Sequence, residues 1–189
     1  MAPVLIFAEL CLAEGSASGL FDDPIEVDLP NASYRIYADK VSEDRGTQLI
    51  VSYCDDAGGS TGVAVYGGLE ANAFRNIQRY TTSCPADLVV DDFNQDGRRD
   101  IFGVSFDGQG PLGQFVLYGD DSRRLRKGPV QNGGINWLGG LIAGDFNGDG
   151  VADMAASYSQ DEDGSKRGVK FVSGADFSVQ AEELGPDLG

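Results

Sequence analysis

DFNQDGRRD at residues 92–100 and DFNGDGVAD at residues 145–153 are near copies of one another, 53 positions apart. Side-chain oxygens recur at alternate positions in each: Asp92, Asn94 and Asp96, then Asp100; Asp145, Asn147 and Asp149, then Asp153. A glycine follows the third, Gly97 or Gly150, where a tight chain reversal calls for positive φ. The main-chain carbonyls of Arg98 and Val151 stand at the skipped position. Each loop therefore offers about five oxygens to one ion, with three carboxylates and an amide among them, which suits a hard cation.

Calcium takes about six to eight oxygen ligands in forgiving geometry, whereas magnesium demands a strict octahedron and keeps its waters. Zinc and copper favour nitrogen or sulfur, which these loops lack. The reading is Ca2+ at two sites. The plain alternative is an Asx-rich turn that binds nothing, because Asp, Asn and Gly are ordinary turn residues. Turn chemistry alone, however, does not require the same acidic positions twice in one register. An EF-hand shares the opening of the motif but needs a bidentate Glu at loop position twelve and a helix on each side. Position twelve here is Gly103 or Ala156, and the segments that follow, IFGVSF and MAASY, read as strands. The EF-hand is rejected.

Working outward, a step of 53 back from Asp92 reaches Asp39 and the degraded stretch DKVSEDRGT at 39–47. In that register Val41, Arg45 and Thr47 replace ligand positions and Asp44 replaces the glycine, so no ion is expected there. Each loop is preceded by a short apolar run (YRIYA at 34–38, DLVVD at 87–91, GLIAG at 140–144) and followed by another (QLIVSY, IFGVSF, MAASY). A further strand comes at VAVYGG 63–68, FVLYGD 115–120 and VKFVSG 169–174, and then a polar, more variable stretch. Runs of this length bounded by Gly, Asp and Asn are short strands.

Three units around 33–80, 86–133 and 139–185, repeating every fifty or so residues, fit the blades of a β-propeller. The fold class expected is all-β, with blades of short antiparallel strands. Gly makes up 27 of 189 residues, a share suited to turns and poorly suited to long helices. Propellers close with about four to eight blades. The three units are therefore expected either to continue into further repeats or to complete a ring by homo-oligomerisation.

The loop and its flanking strands resemble the FG-GAP repeat, with the related bacterial VCBS-type repeat, known from integrin α-subunit propellers. The pattern G-D-x-N-x-D-G-x-x-D is matched from Gly144 to Met154, and from Asp91 to Ile101 with Asp91 in place of the glycine. The later strand is matched at Gly62 to Tyr66, Gln114 to Tyr118 and Gly168 to Val172. The "GAP" tripeptide itself is absent. The resemblance spans roughly residues 33 to 180, and it implies calcium on Asp92, Asn94, Asp96, Asp100, Asp145, Asn147, Asp149 and Asp153.

Composition narrows the function. There are 30 acidic residues against 14 basic, a net charge of −16, and no histidine. So acidic a surface is a poor partner for nucleic acid or anionic membrane. Without histidine, Ser-His-Asp and Cys-His catalysis and His-ligated zinc are excluded. Arg123, Arg124, Arg126 and Lys127 form one small basic run, read as a solvated loop. Residues 1–20 are read as either a signal peptide or a ragged N-terminus, since APVLIFAELCLA is apolar but has no basic residue before it and is interrupted by Glu9. If that segment is cleaved, Cys54 and Cys84 remain as an even pair able to bond in an oxidising compartment. No later stretch has the ~18 apolar residues of a membrane helix.

The function expected is a calcium-stabilised extracellular or cell-surface repeat module that recognises carbohydrate or protein, without catalysis. The competing class is a propeller-type polysaccharide lyase or hydrolase, but no residue stands out as base or nucleophile. Tyr66, Tyr118 and Trp137 are read as blade residues rather than as a sugar platform.

Overall fold

The computed structural model describes residues 33–41, 46–54, 60–70, 73–105, 112–121, 124–128, 131–159 and 167–185. The segment 1–20, with its two readings, lies outside the described residues. All regular structure in them is β. The strands are β1 (Ser33–Asp39), β2 (Gln48–Tyr53), β3 (Gly62–Glu70), β4 (Ala73–Thr81), β5 (Pro85–Asp91), β6 (Asp100–Ser105), β7 (Leu112–Gly119), β8 (Leu125–Lys127), β9 (Gln131–Gly144), β10 (Asp153–Ser159), β11 (Arg167–Val172) and β12 (Val179–Leu184).

Every pairing is antiparallel, and within each four-strand unit consecutive strands are neighbours. β1 to β4 form one sheet, in chain order. β5, β6 and β7, with β8 paired to β7, form the second; β9 to β12 form the third. The second and third are continuous in hydrogen bonding, because the start of β9 pairs with β7 (Leu112↔Ile135, Gln114↔Gln131) before its end pairs with β10. These are three four-stranded blade-like sheets, and among the described residues they do not close into a ring.

Two features differ from the sequence reading. Each unit has a fourth strand (β4, β8, β12) where a polar, variable stretch was expected. An outermost strand is backed on one side only, so its sequence lacks the apolar run that marks an inner strand. The third unit also begins earlier than 139, since β9 runs 14 residues from Gln131.

The sheets stack through their faces. Calling the face toward the following sheet the front, Ile50, Val63 and Val65 on the front of the first sheet meet Leu88, Ile101, Phe115 and Leu117 on the back of the second. Phe102, Val104 and Val116 on the front of the second, with Phe93 from its loop, meet Leu141, Met154, Ala156, Tyr158 and Val172 on the back of the third. Full burial of such side chains contributes about 1.5–3 kcal/mol each.

Polar bonds fix the register of the stack. Buried Asp87 in β5 accepts hydrogen bonds from the Tyr37 hydroxyl of β1 (2.5 Å), from its neighbour's amide at Leu88 (3.0 Å) and from the Leu141 amide of β9 (3.2 Å). It thus ties together the first strands of all three units, with Arg35 at 3.6 Å. Burial, and then the bond to Asp87, push the Tyr37 hydroxyl's pKa upward. The Tyr80 hydroxyl of β4 accepts from the Leu125 amide of β8 (2.9 Å). Cys54 and Cys84 form a disulfide that joins the end of β2 to the approach to β5 across 30 residues. Closing a loop of that size contributes about 3–4 kcal/mol in the chain-entropy account.

Candidate metal loops

The two acidic loops connect the first and second strands of their units, β5 to β6 and β9 to β10. Their internal bonds are nearly the same. In the first, Asp92 accepts from the amides of Gly97 (2.8 Å) and Asp96 (3.2 Å). Asn94 Oδ1 accepts from the Asp96 amide (3.0 Å), and Asp96 Oδ1 from the Arg98 amide (2.9 Å). In the second, Asp145 accepts from Gly150 (3.0 Å) and Gly148 (2.7 Å), Asn147 from Asp149 (2.8 Å), and Asp149 from Val151 (2.7 Å). The amide nitrogens of Asn94 and Asn147 donate to Asp96 and Asp149 at 3.1 and 2.9 Å.

These Asx turns explain the sequence spacing, because a short side chain that accepts from the amide two residues on turns the chain at each alternate position. Gly97 and Gly150 adopt φ of 79° and 85°, as the reversal requires. Gln95 also takes a positive φ, 58°, where the other loop has Gly148.

The last acid of each loop has a different place. Asp100 is fully buried, and its two oxygens accept from the Phe93 amide (3.1 Å) and the Gly119 amide (2.8 Å). Asp153 does the same with Phe146 (3.2 Å) and Gly174 (3.1 Å). Each carboxylate is a bracket between the start of its loop and the end of its unit's third strand. That approach is close: a Cβ on Gly174 would lie 1.8 Å from the Ala152 carbonyl oxygen, and one on Gly119 would lie 2.7 Å from that of Arg99. Only glycine fits there. Burial pushes the Asp100 carboxyl up to about 6; the Gly119 and Phe93 amides oppose this, while Asp96 and Asp92 add to it.

The structure thus brings Asp92, Asn94, Asp96 and Asp100 into one loop, and Asp145, Asn147, Asp149 and Asp153 into the other. Arg98 and Val151 contribute their amides to the turns, and the Arg98 side chain pairs with Asp96 and Asp121. The carboxylates are turned onto amides of their own loop. Among the described residues, no three His, Cys, Asp or Glu side chains gather around one point as a metal site. The donor set nevertheless suits calcium, being all oxygen, and an oxygen that accepts one N–H retains a second lone pair.

Strand pairing corrects the register of the first unit. Asp39↔Gln48, Asp91↔Asp100 and Gly144↔Asp153 are the corresponding pairs. Lys40, not Asp39, therefore stands where Asp92 does, and Gln48 takes the place of Asp100. The first-to-second offset is 52, and the 53-residue step landed one position early. Val41 becomes the counterpart of Phe93, and it too packs into the following sheet interface. Gln48 is buried with its amide nitrogen against Gly67, so the bracket's place survives without its charge.

Sequence reasoning passed over Asp87. Its register counterpart in β1 is Arg35 (Asp87↔Val104, Arg35↔Ser52), so it belongs to no repeated motif, and its hydrogen bonds to Tyr37 and Leu141 cross about 50 residues. Trp137 lies in β9, paired with Tyr158. Arg126 and Lys127 are exposed in β8 rather than in a loop.

Residues 92–156 match the family described as FG-GAP-like repeat. No curated protein and no solved structure matched the chain. The match begins at the first aspartate of one loop and runs past the last aspartate of the other, so it contains both brackets. Alongside the three antiparallel blade-like sheets, residues 92–156 of this chain are thus similar to FG-GAP-like repeats.

Proposed function

We propose that the chain is a calcium-stabilised extracellular or cell-surface module whose ions are structural, and whose exposed surfaces recognise carbohydrate or protein. The observation that carries this reading is the twin loop: two sets of hard oxygen donors with nearly the same internal bonds, each anchored by a buried carboxylate. Asp92, Asn94, Asp96, the Arg98 carbonyl and Asp100 would hold one ion; Asp145, Asn147, Asp149, the Val151 carbonyl and Asp153 would hold the other. A divalent cation would neutralise three carboxylates crowded into nine residues and fix the hairpin that carries them. The Cys54–Cys84 disulfide is compatible with an oxidising compartment, and net charge −16 argues against nucleic acid as the ligand.

Binding to the native state alone raises stability by RT ln(1 + [L]/Kd), about 4 kcal/mol per site at a thousandfold excess over Kd. Melting temperature is followed with calcium and with chelator, in wild type and in Asp96→Asn plus Asp149→Asn. Those replacements keep an oxygen acceptor for the turn but remove charge. A calcium-induced rise in wild type that is largely lost in the double variant is expected; equal rises in both would refute the assignment.

A further inference from the structure

The two acidic loops share their turns but not their charge. Residues 92–100 hold three aspartates and two arginines, a net −1, whereas residues 145–153 hold three aspartates and no cation, a net −3. Arg99 is answered from outside its loop: Nη1 lies 2.6 Å from Oδ1 of Asp91, which stands where the other loop has Gly144. Arg98 is the remaining difference, and its counterpart is Val151. Both side chains start against the end of their unit's third strand. A Cβ on Gly119 would lie 3.1 Å from the Arg98 Cβ, and one on Gly174 3.2 Å from the Val151 Cγ1. Val151 is buried there. Arg98 instead carries its charged head outward, as long cationic side chains do, and the guanidinium turns back onto the loop. Nη1 lies 3.5 Å from Asp96 Oδ2 and 3.4 Å from the Asp96 carbonyl oxygen, while Nη2 donates to Asp121 in the turn between β7 and β8. Asp149 accepts from the Val151 amide and from Asn147 just as Asp96 does from Arg98 and Asn94, yet among the described residues it has no ion pair.

We propose that the two loops take calcium unequally, 145–153 first and 92–100 second, because the Arg98 guanidinium competes with the ion for the Asp96 carboxylate. This ordering rests on the calcium sites proposed above. A guanidinium held at Asp96 offsets part of the negative charge that a divalent cation would use, and it repels that cation at short range. Asp121 shares the guanidinium and is 89% exposed, so solvent screens part of the effect. The gap expected in Kd is therefore roughly three- to tenfold, the scale of one exposed charge pair acting on a divalent ion. It should narrow as salt is added. The weaker loop is also the one that grips the β7–β8 turn twice, through Asp100 on the Gly119 amide and Arg98 on Asp121. Calcium level would thus be felt at that turn after the 145–153 loop is already full.

Calcium titration calorimetry on single-site variants of the full chain tests this. Asp96→Asn leaves the 145–153 loop, and Asp149→Asn leaves the 92–100 loop, each with its turn acceptor kept. The loop left in Asp149→Asn should bind roughly three- to tenfold more weakly at low salt. Adding Arg98→Gln to Asp149→Asn should bring its Kd close to that of the other loop, while Arg98→Lys, which keeps the charge, should recover little. Asp121→Asn, in an exposed turn, removes the guanidinium's other anchor and should weaken the 92–100 loop further. Equal Kd values in the two single variants, a tighter 92–100 loop, or an affinity indifferent to both Arg98→Gln and Asp121→Asn would overturn the ordering and leave calcium binding standing. No binding in wild type would overturn both, so the two failures are told apart.

Discussion

The loops at 92–100 and 145–153 share their turns, their glycines and their carboxylate bracket, yet the aromatic residue at their second position has opposite fates. Phe93 is buried between two sheets, at 6.0 Å from Phe102 with Phe177 stacked beyond it. Phe146 stands largely exposed beside Phe171. The backbone bonds of a loop are thus set by its own nine residues, whereas the burial of its aromatic is set by what lies across the sheet. A repeat carries the same residue into both settings, and it stabilises the fold only where a neighbour covers it.

The largest effect that tests this contrast is truncation of the two aromatics. Phe93→Ala should cost about 3–5 kcal/mol through lost burial and the cavity left behind. Phe146→Ala should cost less than about 1 kcal/mol in the monomer, as at an open surface site. Denaturant titration at low protein concentration reads both, and equal losses would break the contrast. A second effect probes what the loops have in common. Asp100→Ala and Asp153→Ala each strand two amides, at about 1–3 kcal/mol per unsatisfied buried group, so each should lose roughly 2–6 kcal/mol. Similar values for the two would show that the bracket works independently of the aromatic beside it. The smallest effect concerns Gln95, whose left-handed backbone costs a side-chain-bearing residue about 1–2 kcal/mol, partly offset by the entropy glycine loses on folding. Gln95→Gly, copying Gly148, should gain a few tenths to about 1 kcal/mol; a loss in thermal melts would mean that the Gln95 side chain holds the loop.

The two acidic loops were legible in the sequence because their bonds close within nine contiguous residues, so spacing alone carries the geometry. Inner strands such as Ile101 to Ser105 were legible because they are buried on both faces. The outer strands β4, β8 and β12 were not, since edge strands need no apolar run. The first unit was misplaced by one residue because Asp39 met the 53-residue step by chance, whereas the true counterparts, Lys40 and Gln48, have lost the acids by which a repeat is recognised. Asp87 was invisible for another reason. Its partners Tyr37 and Leu141 come from other units, and long-range pairing leaves no periodic trace in a chain.

If the ions are structural as proposed, both loops hold calcium and the first unit does not. Isothermal titration of calcium into the chelator-treated chain tests it most directly. Two ions per chain are expected in wild type, one each in Asp96→Asn and Asp149→Asn, and none in the double variant. No binding in wild type, or undiminished binding in the double variant, would contradict it.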